Sequence, residues 1–139
     1  MIKLSLQSLS FRDSFNNGQI DLKGIIEKAA ELQLDGVDLH SGHFASTNDG
    51  YLQDIRLLCM NLGLHICYIG ISNDFMKPGT EGEEQVQLVK DWIDIADRMG
   101  VQMVRVFGGV IPDGETYESM YPRLLANTRE VVDYGRSIG

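Results

Sequence analysis

The stretch LGLHICYIG at residues 62–70 contains the end of a helix and, directly after it, a strand. Leu62 is followed by Gly63, a second apolar residue, a histidine and then a run rich in β-branched and aromatic side chains. Glycine supports the left-handed cap that ends many helices, and β-branched and aromatic residues favour strands. The stretch therefore predicts an α-helix that leads into a β-strand.

The same order of residue types occurs again on either side of this stretch. Residues 32–40 read LQLDGVDLH and residues 99–109 read MGVQMVRVFGG. The equivalent apolar residues Leu34, Leu64 and Val101 are 30 and 37 residues apart. A strand–helix–strand unit needs about 30 residues or more, and a repeat of this period indicates one recurring structural unit. The chain is therefore predicted to alternate strands and helices, which gives parallel strands joined by helical crossovers.

Four strands and four helices are predicted from this repeat and from helix-start signals. The predicted strands are 4–9, 36–40, 65–71 and 103–108. The predicted helix starts are Asp21 as an N-cap, the segment Thr47-Asn48-Asp49, Thr80 with Glu83 as a capping box, and the region of Thr116. The last helix is predicted to extend towards Ser137, and Pro122 marks either a kink in its first turns or the point where it begins. The final Ser137-Ile138-Gly139 repeats the helix-end signal a fourth time.

Polar residues inside the predicted strands favour a closed barrel over an open, doubly wound sheet. Strands of a doubly wound sheet are buried on both faces and are nearly continuous in apolar residues, whereas Asp38 and Arg105 lie in the middle of two strands here. The loop at residues 10–15 also has no glycine-rich phosphate fingerprint. The predicted fold is α/β, a (βα)4 half of a TIM (βα)8 barrel with parallel strands and outer helices, as a single domain over residues 1–139.

The length of the chain raises two hypotheses about assembly. A complete barrel of this type takes about 250 residues and eight βα units, of which this chain has four. One hypothesis is that a second half begins with a fifth strand directly after Gly139. The alternative is a natural four-unit protein that pairs as a twofold dimer, with the fourth strand of each copy beside the first strand of the other. In either case two parallel edges are open, and open edges promote association.

Composition and charge narrow the class of protein. Apolar residues make up 43% of the chain and charged residues 23%, as in ordinary globular proteins. The net charge of −8 opposes binding to nucleic-acid backbones. No apolar run reaches the roughly 18–20 residues of a membrane span, and the N-terminus lacks the features of a signal peptide, so a cytoplasmic protein is predicted. Cys59 and Cys67 are interpreted as small buried apolar residues and not as a disulfide.

Three segments resemble the sugar phosphate isomerase/epimerase family, the xylose-isomerase-like TIM barrels. They are GVDLHSGHF at residues 36–44, ISNDFMKPG at 71–79 and VRVFGG at 104–109, supported by the helix ends ELQLDG at 31–36 and RMGV at 98–101. The superfamily also resembles inosose dehydratases, hydroxypyruvate isomerases and endonuclease IV. The resemblance covers the whole chain as the first four βα units.

This resemblance implies an enzyme of carbohydrate metabolism that acts on a small sugar or sugar phosphate. Such an enzyme interconverts an aldose and a ketose, or epimerises a sugar, by proton transfer beside a carbonyl, with a carboxylate as base and a metal that polarises the oxygens. The family's divalent metal (Mn, Mg, Co or Zn) is held by Glu, Asp, His and Glu at the ends of strands 5 to 8. Those strands lie beyond this sequence, so no metal ligand or catalytic residue is assigned in it.

Three residues are candidates for substrate binding: His40, Asn73 and Arg105. His40 ends the second strand, and the C-terminal ends of barrel strands carry the active site; the alternative is a histidine satisfied by a neighbouring loop. Asn73 lies in the loop after the third strand, where Phe75 and Met76 could wall a sugar pocket. Ordinary turn chemistry is the alternative for that loop.

Alternation along the fourth strand points Arg105 into the barrel. Asp38 has the same orientation on the second strand. A buried ion pair between Asp38 and Arg105 is therefore predicted, because an unpaired buried guanidinium is very costly; the alternative is that Arg105 binds the substrate. His40 and His43 together are a weak metal signal, because two histidines without a third ligand do not complete a site.

Three functions compete at this point. The first is a metal-dependent sugar isomerase or epimerase. The second is an endonuclease IV-like, zinc-dependent phosphodiesterase, which the acidic charge argues against. The third is a half-barrel without catalytic activity that assembles as a dimer through its open edges.

Overall fold

The strands form one parallel sheet in a computed structural model that describes residues 2–139. They are β1 (Ser5–Gln7), β2 (Gly36–His40), β3 (His65–Gly70) and β4 (Val104–Arg105), and they lie side by side in chain order. All three strand pairs are parallel. The predicted α/β half-barrel is confirmed, and β2 has the predicted bounds. The edge strands β1 and β4 are shorter than predicted, because each has a hydrogen-bonded neighbour on one side only. In addition, a 3-10 turn, Ser8–Phe11, directly follows β1 and ends it.

Five helices follow the strands in the described chain, and the four longer ones pack on one face of the sheet. They are α1 (Arg12–Asn16), α2 (Leu22–Glu31), α3 (Asp49–Asn61), α4 (Gly79–Met99) and α5 (Tyr117–Ile138). Asp21 caps α2 as predicted, because its side chain accepts the Gly24 N–H at 2.8 Å. Thr116 caps α5 in a reciprocal capping box with Ser119, and α5 continues through Pro122.

The predicted capping box of Thr80 and Glu83 is wrong. α4 begins at Gly79 with Pro78 as its N-cap, and the Gly82 N–H donates to the Pro78 carbonyl. The helical ladder therefore starts before Thr80, so its hydroxyl lies too late in the chain to serve as the N-cap.

The apolar core lies between the helices and the sheet, and the alternation of the strands delivers side chains to it. Val37 and Leu39 of β2 are fully buried there, and Val104 and Val106 at β4 pack against the same core. Trp92 of α4 is buried against the helices, in an edge-to-face contact with Phe44. The opposite face of the sheet, which would be the interior of a closed barrel, carries the polar side chains.

The register between β2 and β3 shifts by one residue. Val37 pairs with Ile66 and Asp38 pairs with Tyr68, so the ladder passes over Cys67. Cys67 is exposed, which corrects the prediction that both cysteines are buried; it stands out of the ladder because of this bulge. Cys59 of α3 is buried as predicted, and burial raises the pKa of its thiol to about 12.

An apolar groove of about 590 Å³ runs beside β4 on the helix side of the sheet. α4 and α5 form its walls with Ile93, Val131 and Ile138, and Val104 and Val106 form its floor. The free edge of β4 borders this groove, and β1 is the other free edge of the sheet. Across residues 2–139, no helix has the length and apolar character that crossing a membrane requires.

Candidate functional site

The C-terminal ends of the four strands bring polar residues together at one edge of the sheet. Ser8 directly follows β1, His40 ends β2 and Arg105 ends β4. Gly70 of β3 pairs with both His40 and Arg105, so these two residues lie at the same level of the sheet. In barrels of parallel strands this is the end that carries the active site.

His40 is held as a neutral hydrogen-bond donor. The Gly42 N–H donates to His40 Nδ1 at 3.1 Å, so Nδ1 is the unprotonated nitrogen and Nε2 carries the hydrogen. Nε2 lies 2.9 Å from Ser72 Oγ, in the loop after β3. Burial lowers the pKa of His40, and the Arg105 guanidinium lowers it further. At neutral pH the ring is therefore uncharged and presents an N–H to the strand-end surface.

Arg105 lies over an aromatic ring and not against a carboxylate. Its guanidinium carbon is 4.3 Å from the centre of the Phe107 ring, a cation–π distance. The predicted ion pair with Asp38 is wrong. Asp38 pairs with Tyr68, two residues before Gly70 on β3, so it lies about 6–7 Å below the level of Arg105.

Asp38 itself occupies the layer of the sheet below the site. One carboxylate oxygen accepts the Ser5 hydroxyl at 2.9 Å. Its other oxygen is buried and has no hydrogen-bond partner among the residues that the structure describes. In the same layer the Gln7 amide donates to the Tyr68 hydroxyl at 3.0 Å. The polar side chains of β1 thus bond to Asp38 and Tyr68 on the neighbouring strands, below the strand ends.

Asn73 joins the loop after β3 to the end of β4. Its amide nitrogen donates to the Phe107 carbonyl at 2.8 Å, and its amide oxygen accepts the Phe107 N–H at 2.9 Å. The side chain is buried. These two hydrogen bonds use half of the capacity of an amide, and one N–H and one oxygen lone pair remain. Substrate binding by Asn73 stays a prediction.

The prediction that Phe75 and Met76 wall a sugar pocket is wrong. Both side chains are buried, and Phe75 belongs to the apolar core. The loop turns them inward because Asp74 binds the Met76 N–H at 2.9 Å, and the Phe75 carbonyl accepts the Asn127 amide of α5. Asp74 also comes so close to Gly109 that a Cβ there would lie 1.9 Å from its Oδ1, so Gly109 is a site of close backbone approach.

Ser8 is the residue of this site that the sequence did not reveal. It is fully buried, and its hydroxyl lies between the His40 N–H, at 2.9 Å, and His43 Nδ1, at 3.1 Å. A serine at the end of a predicted strand, level with a strand-end histidine, is the signal that could have indicated it. His43 is also buried and stacks on Phe15 with ring centres 4.2 Å apart.

The residues that the structure describes do not form a site for a metal ion. Between Ile2 and Gly139 no three side chains of His, Cys, Asp or Glu lie together in a way that could hold one. The Nδ1 atoms of His40 and His43 are both occupied by hydrogen bonds within the protein.

Solved structures of several enzymes have the same fold. D-psicose 3-epimerase from Clostridium cellulolyticum H10, solved with D-tagatose, superposes with a TM-score of 0.80 at 14% identity, over 98% of this chain and 49% of the enzyme. The probable 3-DHS dehydratase AsbF from Bacillus anthracis gives 0.74 at 16% identity, over 98% and 49%. A xylose isomerase domain protein from Planctomyces limnophilus gives 0.64 at 18%, over 81% and 44%.

These similarities concern the fold, and the chain spans about half the length of the solved structures that it matches. No curated protein matches the chain in sequence. The family model for the xylose isomerase-like TIM barrel matches residues 26–139, most of the chain. The resemblance seen in the sequence is confirmed, and the chain belongs to the xylose isomerase-like TIM barrel family.

Proposed function

We propose that this chain forms the N-terminal wall of the substrate site of a sugar or sugar phosphate isomerase or epimerase. The observation that carries the proposal is the placement of His40, Ser72 and Arg105 together at the C-terminal ends of adjacent strands. The family includes sugar-converting enzymes, and two structural neighbours are D-psicose 3-epimerases. In this proposal His40 and Arg105 hold oxygens of the substrate.

The chemistry of these side chains suits a sugar. The His40 Nε2–H is a neutral donor, and its hydrogen bond to Ser72 can be exchanged for one to a sugar oxygen without movement of the ring. Arg105 offers planar N–H donors that can hold two oxygens of a hydroxyl pair or a phosphate. Asn73 supports the site by fixing the backbone of Phe107, whose ring carries the Arg105 guanidinium.

The proposal gives this chain substrate binding and orientation, and not the proton transfer itself. Isomerisation and epimerisation move a proton beside a carbonyl, which needs a base and an electrophile. The family's divalent metal (Mn, Mg, Co or Zn) does not fit the residues described, so we propose that both groups come from outside this chain. We also propose a cytoplasmic location, where sugar phosphates are available as substrates.

Loss of the His40 ring is expected to weaken sugar binding. In an NMR titration of the isotope-labelled chain with D-fructose, we expect the amide signals of residues 40–42, 72 and 105 to move. His40→Ala should weaken the affinity about 3- to 10-fold, the usual value of one hydrogen bond. The matched control is His65→Ala, because His65 is exposed at the opposite end of the sheet. Equal losses in both variants, or signals that move only near His65, would contradict the proposal.

The second candidate function is assembly: two copies of the chain form a dimer through the edges of their sheets. Ile2 and Leu4 beside β1 and Met103 beside β4 are all largely exposed at the two free edges. Exposed strand edges with apolar side chains favour pairing with another chain. We propose that two copies pair β4 with β1, which would close a ring of eight strands and bury both edges.

Sedimentation velocity tests this assembly. We expect the chain to sediment as a dimer and Met103→Lys to shift it towards the monomer, because a charge at a strand edge opposes pairing. Met60→Lys is the matched control, since Met60 is equally exposed, at 63% against 60%, but lies on α3. A monodisperse wild-type monomer that unfolds cooperatively would exclude the dimer. A dimer without ketose–aldose exchange would favour a half-barrel that binds without catalysis.

A zinc-dependent phosphodiesterase gains no support from the site. The net charge of −8 repels a phosphate backbone. The strand-end cluster has one guanidinium, Arg105, and the two neighbouring histidines are neutral, because burial lowers the pKa of each.

A further inference from the structure

The buried hydroxyl of Ser8 connects two histidines that lie in different parts of the site. Ser8 begins the turn after β1, and its Oγ accepts the backbone N–H of His40 at 2.9 Å. The same oxygen lies 3.1 Å from Nδ1 of His43. A hydroxyl that accepts one hydrogen bond still has a hydrogen to donate. The arrangement that satisfies all three groups has the Ser8 O–H donating to His43 Nδ1.

His43 is itself held firmly. It is buried, and its ring stacks on Phe15 of α1. It ends the 3-10 turn Ser41–His43, which begins directly after His40. The Gly42 N–H inside this turn is the group that binds His40 Nδ1. The turn therefore fixes the His40 ring, and its last residue reaches back through Ser8 to fix the His40 backbone.

We infer that His43 is a positioning residue for His40 and acts through the hydroxyl of Ser8. The two contacts place the His40 Nε2–H at a fixed point above the sheet, next to Ser72 and level with Arg105. This inference rests on the proposed function, because it explains how the chain keeps a sugar-binding donor in place. Under this inference His43 does not contact the sugar.

Two substitutions of His43 separate its ring from its hydrogen bond. His43→Phe keeps an aromatic ring to stack on Phe15 and removes the acceptor for Ser8. His43→Asn keeps a polar atom near the position of Nδ1 and removes the ring. Ser8→Ala removes the connecting hydroxyl. We expect His43→Phe and Ser8→Ala to change the ring nitrogen signals of His40 in the same way. His43→Asn should leave these signals unchanged.

The decisive measurement is the state of the His40 ring, followed by NMR through its ring nitrogen signals and their pH titration, without sugar. His43→Phe and Ser8→Ala should shift these signals alike and weaken D-fructose binding about 3- to 10-fold, while His43→Asn stays near wild type in both. Far-ultraviolet circular dichroism and urea unfolding establish that each variant is folded. If His43→Phe does not fold, the comparison of Ser8→Ala with His43→Asn decides.

Failure of the positioning role and failure of the proposed function give different results in these measurements. A His40 signal in a folded His43→Phe or Ser8→Ala variant that matches wild type would overturn the positioning role. If the substitutions change the His40 signals but D-fructose does not change them in the wild-type chain, the proposed function is overturned and the positioning role stands. An affinity loss with unchanged His40 signals also counts against the inference, because the loss would then not act through His40.

Discussion

Replacing Phe75 by alanine is expected to lower the free energy of unfolding by about 3–5 kcal/mol. Phe75 is the largest of the fully buried side chains, and it packs in the core between the sheet and the helices. Removing its ring loses the transfer free energy of the apolar surface and leaves a cavity that the surrounding structure fills only partly. Urea unfolding followed by circular dichroism measures the change.

Phe107→Ala is the matched control for Phe75→Ala. Phe107 stands at the end of β4 with 37% of its surface exposed, and its ring contacts Arg105. We expect Phe107→Ala to lower the free energy of unfolding by about 1 kcal/mol. We also expect weaker sugar binding, because the Arg105 guanidinium loses the ring that it lies over. The opposite result, a stable Phe75→Ala variant that no longer binds D-fructose, would restore Phe75 as a wall of the sugar pocket.

Gly109→Ala is expected to destabilise the protein by about 2–5 kcal/mol, through backbone strain and steric overlap together. Gly109 has a φ of +121°, a conformation that residues with a Cβ rarely adopt. The added Cβ would lie 1.9 Å from Asp74 Oδ1 and 3.1 Å from the Met76 nitrogen. Asp74 cannot move away freely, because it accepts the Met76 N–H. The loops after β3 and β4 would have to separate, which thermal unfolding and the NMR signals of both loops report.

Gly114→Ala separates the two causes of this effect. Gly114 lies in the same loop with a φ of +83°, and no described atom lies within 4 Å of the position that a Cβ would take. Strain alone should cost about 1–2 kcal/mol there. The difference between the two variants reports the steric overlap with Asp74 together with the larger φ of Gly109. Equal losses in both variants would show that the close approach at Gly109 relaxes without cost.

Patterns along the chain were sufficient to predict the fold because each depends on one element at a time. The bounds of β2, the cap at Asp21 and the start of the last helix near Thr116 follow from residue types next to each other in sequence. The orientation of Val104 and Val106 towards the helices follows from alternation alone. The position of His40 at the C-terminal edge of the sheet follows from parallel strands that end at one edge.

Relations between elements were not accessible in the same way. The ion pair of Asp38 and Arg105 was predicted from a shared face, but the register sets them at different levels of the sheet. Phe75 follows a turn signal, and only the contacts of Asp74 and Asn127 direct its ring into the core. Ser8 has no distinguishing neighbours in sequence; its role arises where β1, β2 and the turn at His43 meet.

The register shift at Cys67 places Ile66 and Ile69 on the same face of β3, against the helices. Ile66 and Ile69 both pack against the helices although an odd number of positions separates them, and in a regular strand such residues point to opposite faces. Without residue 67, Ile66 and Tyr68 would be neighbours and would face Val37 and Asp38 in an unbroken ladder. Cys67 is thus the extra residue of a bulge, and the ladder resumes after it, so that Ile69 packs in the core and Gly70 lies level with His40 and Arg105.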